Sequence, residues 1–406
     1  MAPNLIGNSF ILAETALVPE TVTKSQTAPL YRVSASAKPL TQNGEKNKQS
    51  LEVNPIKKDD YKMEIVWKNV ISFIIIHLFA LYGLYITITE RLLVEYLWGH
   101  TVGICGAFGV TVGAHRLWTH RCYKAKLPLR IILMVFQTIA FQNHLYEWAR
   151  DHRTHHKFTD TDADPHNSKR GFFFCHMGWL MVKKHPDVIR KGKTVDMSDL
   201  EADPVIMFQK RYYMILMPLL CFILPCLVPY FWMGISFRVC FFCSSILRWV
   251  VSLHITWLVN SAAHMWGTKP YDKNMSPTDS LILGTIAFGE GWHNYHHVFP
   301  WDYKAGELGN YSSNYSTAVI DFFAKIGWAY DLKAVSQEII WKRAKRTGDG
   351  SHLYIKTEGV MKNTEECNKN EDDGEVDDNQ HFWGWDDKDM SDKDRKLVNI
   401  LHTRKD

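Results

Sequence analysis

The sequence predicts an all-α, polytopic membrane protein: four transmembrane helices in two hairpins, with a helical cap on one face. Three observations predict it. The mean hydropathy is slightly negative, yet the apolar residues are gathered into four blocks long enough to span a bilayer, which takes about 20 mostly apolar residues. The blocks come in pairs joined by only a few residues. Between the pairs, the stretch 114–212 carries 17 Lys and Arg, against one in the turn at 89–91.

Residues 1–60 are polar and contain no continuous apolar run, so no secretory signal peptide is expected and the segment reads as a disordered cytosolic N-terminus. The first span is "VISFIIIHLFALYGLYITI", 70–88. The second, 92–114, is glycine-rich and carries Glu95 and His100. "IILMVFQTIAF" at 131–141 is half a span and predicts an interfacial or buried helix. The third span covers 212–235 and the fourth 239–263. Everything outside two hairpins lies on one side, and the excess of Lys and Arg predicts that side, with both termini, to be cytosolic. Arg248 falls mid-span and must snorkel or pair inside the bundle. After 303 an amphipathic pattern near "AVIDFFAKIGWAY" predicts a helix. The membrane domain is expected over 61–349, and 350–406 as a charged, mostly disordered tail with the acidic run "EDDGEVDDNQ". Within that tail "HFWGWDDKDM" offers Trp383 and Trp385 for docking.

Composition excludes some classes. A net charge of +4 on 406 residues gives no reason to expect nucleic acid. Five of the eight cysteines sit in apolar blocks and read as buried free thiols; "CFFC" at 240–243 has no second pair or nearby histidine to make a metal or redox motif.

Histidine is the unusual quantity, with 19 in the chain. "DHRTHH" and "EGWHNYHH" set imidazoles at 152, 155, 156 and at 293, 296, 297. On a helix, positions i, i+3 and i+4 fall within an arc of about 100°, so each box aims three rings in nearly one direction. His115 and His120 stand where the second span leaves the membrane, and His264 where the fourth does. Hairpin parity brings all nine to one face. Nine are too many for one tetrahedral zinc but suit two ions with five or more ligands each, and imidazole alone does not select among iron, zinc, copper and nickel. Glu290 and His293 have the Glu-x-x-His spacing of carboxylate di-iron bundles, but no second copy occurs, so the match reads as accidental. His77 and His100 within spans, and His144, His166, His176, His185 and His254, read as satisfied or local hydrogen-bonding groups.

"GAHRLWTHR", "EWARDHRTHH", "NSAAH" and "GEGWHNYHH", with "DADPHNSKRGFFF", "GWLMVKKHP" and "PYDKN", together resemble the animal acyl-CoA desaturases, the stearoyl-CoA desaturase family, from about Trp67 through 350. The resemblance implies a di-iron site in the cytosolic cap, holding two iron ions (Fe2+), in an enzyme of the endoplasmic reticulum membrane. Such an enzyme introduces a cis double bond, Δ9 or at a shifted position such as Δ11, into a saturated fatty acyl-CoA. It uses O2 and electrons from NADH through cytochrome b5 reductase and cytochrome b5; no fused haem motif "HPGG" occurs here, so the donor is expected to be a separate protein. The implied ligands are His115, His120, His152, His155, His156, His264, His293, His296 and His297, with Asn260 reaching a metal through water. Arg150, Asp151, Lys183, Lys184, Asn69 and Asn143 match positions that hold the CoA head group, and Trp148 and Trp257 match positions at the substrate tunnel. One departure stands out: the second span reads "GHTVGICGAFG", with Gly103 where the family often has an aromatic residue. A smaller residue there would admit a longer or shifted acyl chain. Two rivals share these residues: a hydroxylase or bifunctional desaturase of the same architecture, and a membrane metal-binding or transport protein. The transport reading fits poorly with histidines at span exits instead of along span interiors.

Overall fold

The computed structural model describes residues 61–307, 310–353, 355, 381–396 and 398–404. The polar segment 1–60 and the acidic run at 371–380 lie outside the described residues.

Each apolar block becomes one long helix. The first pair is α1 (Trp67–Glu90) and α2 (Leu93–Thr119). Arg91, in the left-handed conformation, ends α1 and turns the chain. Next come α3 (Leu127–Ala140), the predicted half-span, and α4 (Leu145–Phe158), which carries the first histidine box. The second pair is α5 (Pro204–Met233) and α6 (Phe237–His264), joined through Gly234 in the left-handed conformation. Large apolar side chains remain exposed along these helices, among them Leu78, Leu81 and Ile88 on α1 and Ile215, Phe231 and Trp232 on α5. That belt is unfavourable in water and is satisfied by lipid.

Three of the long helices depart from regular winding, α6 over Cys240–Leu247 among them, and the departures in α5 and α2 have local causes. α5 widens over Pro218–Ile223, because Pro218 has no N–H to give to the preceding turn. α2 widens over Gly109–Thr119, where Gly109 lets the backbone of α3 approach closely: a β-carbon there would stand 2.1 Å from Gln137 N. This second widening positions the site. Residues five apart stand about 140° apart on a regular helix. Here His120 N bonds His115 O, and the two rings lie 4.7 Å apart.

The cap continues with α7 (His293–Val298), α8 (Tyr315–Lys325) and α9 (Gln337–Thr347). Two short antiparallel ladders close it. β1 (Lys124–Ala125) pairs with β2 (Ala329–Tyr330), so the predicted amphipathic helix stops before Ala329 and its last residues enter a strand. β3 (Leu332–Val335) pairs with β4 (Val398–Leu401), in register Leu332 to Leu401. The tail expected over 350–406 therefore carries a docked segment: Trp383 is 2% exposed and joins the main core with Trp118, Leu133, Trp148 and Trp257.

Of the two fates open to Arg248, the structure has it paired. It is buried, and its guanidinium donates to Ser244 O at 3.1 Å, Ile139 O at 3.2 Å and Cys221 O at 2.6 Å. Three carbonyls thus take the place of an anion inside the bundle.

Candidate metal centre

The C-terminal ends of α2 and α6 meet α4 and α7, and the nine histidines meet there. They form two buried groups. His115, His120, His152, His156 and His296 make the first; His155, His264, His293 and His297 make the second. Within each, the ligand nitrogens lie within 4.8 Å of one another. The boxes are split between the groups in a reciprocal way. His152 and His156 of α4 serve the first group and His155 the second; His293 and His297 of α7 serve the second and His296 the first. Helix geometry explains the split, since i and i+4 are about 40° apart while i+3 lies on the other side of i.

The nitrogen spacings fit metal ions. His296 Nε2 lies 2.9 Å from His115 Nε2 and 3.0 Å from His156 Nε2. In the other group, His293 Nε2 lies 3.0 Å from His264 Nε2 and 3.2 Å from His297 Nε2. One N–H cannot serve two such neighbours at once. Two imidazole donors about 2.1 Å from a shared ion, at right angles, would be about 3.0 Å apart. Both ring nitrogens of His152 and Nε2 of His120 are buried without a hydrogen-bond partner among the described residues.

Outer partners fix which nitrogen faces inward. His115 Nδ1 meets Glu290 Oε2 at 2.6 Å, His155 Nδ1 meets Asp164 Oδ1 at 2.9 Å, and His264 Nδ1 meets Ser276 Oγ at 3.1 Å. His120 Nδ1 donates to the carbonyl of Trp383. With Nδ1–H committed outward, the Nε2 lone pair is left for a metal. Burial, reinforced by repulsion among neighbouring groups, holds His120, His152, His156, His293, His296 and His297 well below the ordinary histidine range. They are neutral at pH 7, as ligation requires. Burial works to raise the Glu290 carboxyl, but the Arg116 guanidinium and His115 overcome it and hold it down to about 2. Arg116 is itself buried, bonding Glu290 at 2.8 Å, Tyr303 O at 3.0 Å and Thr317 Oγ1 at 3.0 Å.

Glu290, Asp164, Ser276 and the Trp383 carbonyl are the functional contacts that motif reading missed. The first two were legible as acidic residues beside the boxes, in "GEGWH" and "DADPH"; the spacing from Glu290 to His293 was set aside as accidental, but the carboxylate turns to His115 instead. His166, read as a local hydrogen-bonding group, is buried beside His155 and Asp164 as a third cluster.

A cavity of about 390 Å³ opens onto both groups. His115, His152, His293 and Asn260 form one end of it; Trp148, Gln142 and Thr256 also line it, and so do Gly103, Gly99 and Glu95 towards the N-terminal end of α2. Thr256 accepts from Gln142 Nε2 at 2.8 Å. Asn260 Nδ2 is buried without a hydrogen-bond partner among the described residues. A β-carbon at Gly103 would stand in ordinary van der Waals contact, 3.5 Å from Arg248 Cγ and 3.9 Å from Ser252 Oγ. Trp257 is fully buried but stands off the cavity wall, against Phe73, His176 and His254.

Of the remaining sequence candidates, Lys184, Asp151 and Arg150 come together, and none of the six lines the cavity. Lys184 Nζ meets Asp151 at 2.6 Å and Glu147 at 3.5 Å, and Arg150 meets both carboxylates at 3.3 Å. Burial tends to raise the Asp151 carboxyl, but Lys184 and Arg150 hold it below the usual range. Lys183 points away, exposed, and pairs with Glu64 at 2.6 Å. Asn69 is buried and donates to Leu180 O at 2.8 Å. Asn143 is half-buried in the left-handed conformation, its carbonyl accepting from Gln137 at 2.7 Å.

Comparisons with known proteins agree with this architecture. The fatty acid desaturase family profile matches residues 92–305. An acyl-CoA Delta-9 desaturase of Acheta domesticus is 53% identical over 83% of this chain and 86% of the relative. An acyl-CoA Delta-12 desaturase of Tribolium castaneum is 48% identical over 87% and 96%. Stearoyl-CoA desaturase of Homo sapiens is 53% identical over 72% and 80%.

Proposed function

The chain belongs to the fatty acid desaturase family, and on that premise we propose that it is an O2-dependent acyl-CoA desaturase. It removes two hydrogens from a saturated fatty acyl-CoA and leaves a cis double bond. The observation that carries this reading is the junction itself: an apolar cavity ends on two buried imidazole groups.

The nine histidines would hold two irons, five ligands on one and four on the other, with Asn260, which lines the same cavity and lies four residues before His264, acting through water. Iron there supplies the redox chemistry that activates dioxygen against an unreactive C–H bond. The protein positions one methylene pair and excludes water. Trp148 narrows the cavity beside His115 and His152, and the Gln142–Thr256 pair gives the passage one polar contact. Arg150, Asp151, Lys183, Lys184, Asn69 and Asn143 are proposed to receive the CoA head group at the cytosolic rim, and Trp257 to support the tunnel from behind. Lys183 is suited to phosphate because its charge is exposed. Electrons come from cytochrome b5 and its NADH-dependent reductase at the cytosolic face of the endoplasmic reticulum.

Regiospecificity follows from cavity length. From Gly103 to Gly109 the helix advances about 9 Å at 1.5 Å per residue, and the wider winding from Gly109 to His115 adds less than that again. The eight carbons beyond the Δ9 bond of an 18-carbon chain extend about 10 Å at C–C bonds of ~1.5 Å. The cavity runs past Gly103 to Gly99 and Glu95, which favours an acyl chain longer beyond the new bond than that of a Δ9 product from stearoyl-CoA. The test is expression in a desaturase-deficient host fed saturated acids of several lengths, with the double bond located by mass spectrometry. Unsaturated products that fall about 100-fold or more in His155→Ala are expected. A hydroxylated product would assign the alternative chemistry, and unsaturation retained in His155→Ala would overturn the proposal.

A further inference from the structure

The metal-ligand candidates differ in where their outer partners come from. Those of His115, His155 and His264 lie within 164–290. The partner of His120 is instead the carbonyl of Trp383, beyond the acidic run and far along the tail. We propose that the segment 381–390 is a positioning element of the metal centre, fixing His120 and thereby the loading of the five-histidine group. This rests on the reading of His120 as a ligand.

The contact is made from both sides of one residue. The His120 ring donates to Trp383 O, and the His120 carbonyl accepts from Trp385 N at 3.0 Å. Gly384 lies between, in the conformation with φ 154°, and a β-carbon there would stand 2.5 Å from His120 O. No other residue fits that approach. The segment is anchored independently of the contact. The Arg153 guanidinium sits 3.7 Å over the Trp383 ring, and Arg153 is itself held by Asp199 at 2.7 Å and by the carbonyls of Trp118 and Thr119. Asp387 accepts from Trp383 N at 2.9 Å and pairs with Lys157 at 3.1 Å. Removing the segment leaves the His120 Nδ1–H without its acceptor. The imidazole is then free to move its proton to Nε2, the nitrogen that faces the group, and an Nε2–H cannot ligate.

Full-length chain is purified in detergent, loaded with Fe2+ or with Co2+, and its metal content measured per chain. Gly384→Val displaces the segment, and its affinity at the five-histidine group is expected to fall about 10–100-fold. With free metal buffered between the wild-type and variant affinities, the content drops from two ions towards one, with a changed cobalt absorption spectrum, while Lys388→Ala on the same segment changes neither. A chain ending at residue 380 behaves as Gly384→Val does, and a synthetic 381–406 peptide restores the second ion. Two ions with an unchanged spectrum in Gly384→Val would overturn the inference while leaving the desaturase reading intact. Loss of both ions together with the melting transition would overturn it too, since the segment would then act only through general packing. A wild-type chain that takes up no metal would overturn the ligand reading beneath it.

Discussion

His155 is the residue where the separate parts of the site touch. Its ring faces His264 and His297, its helix neighbours face the other group, and its Nδ1 is held by Asp164. Asp164 is fully buried in that contact and also accepts from Asp160 N at 2.9 Å and His166 N at 3.1 Å. Asp164→Asn keeps the shape but can present an N–H to His155, which favours the wrong tautomer. Metal affinity is expected to fall about 10–100-fold, measured by competition with a chelator of known affinity. Gly103 carries the second prediction at this scale. Gly103 lines the cavity and a β-carbon there would already touch Arg248, so the ring of Gly103→Phe should block the passage and shorten the preferred acyl chain by several carbons. Product chain-length profiles from mixed saturated acids check this, and an unchanged profile would exclude Gly103 as a length determinant.

At the scale of elements, the contact between α2 and α3 decides where the first two ligands point. Gly109 permits that contact, and the wide winding that follows brings His115 and His120 together. Gly109→Ala would press a methyl group into the Gln137 backbone. Overpacking of this kind costs about 1–3 kcal/mol, so a lower melting temperature in detergent and reduced metal content should appear together. A variant as stable and as well loaded as wild type would show that the helices part without cost. Sequence reading found α2 and the half-span but not this junction, because a glycine in an apolar run does not say which backbone approaches it. Arg248 is similar: snorkelling and pairing were equally open until Ile139 and Cys221 supplied their carbonyls.

For the whole molecule, the two histidine groups tie α2, α4, α6 and α7 into one cap. Stripping metal leaves nine imidazoles gathered in a buried space with no ion to share. Binding to the folded state alone contributes about 4 kcal/mol per site when free metal is a thousand-fold above Kd. Chelation should therefore lower the melting temperature, and re-addition of Fe2+ should restore it. An apo-protein that melts with the loaded one would mean the cap needs no metal. The spans were legible because hydrophobicity over about 20 residues is a local property. The face on which the histidines emerge was legible too, because two hairpins leave no choice of side. Docking of Trp383 was legible only as two tryptophans in a charged tail, since their seat over Arg153 lies more than two hundred residues away in the chain.

By itself, the sequence determined the four spans, their pairing, the one-sided set of histidines and the motifs of the desaturase family. Each depends on composition or spacing within a single element. Only the tertiary structure decided how the nine histidines divide into five and four, which partners orient them, and how deep the cavity runs. Those depend on the angles at which α2, α4, α6 and α7 meet. Such angles are set by packing among distant segments, and no periodicity within one segment encodes them.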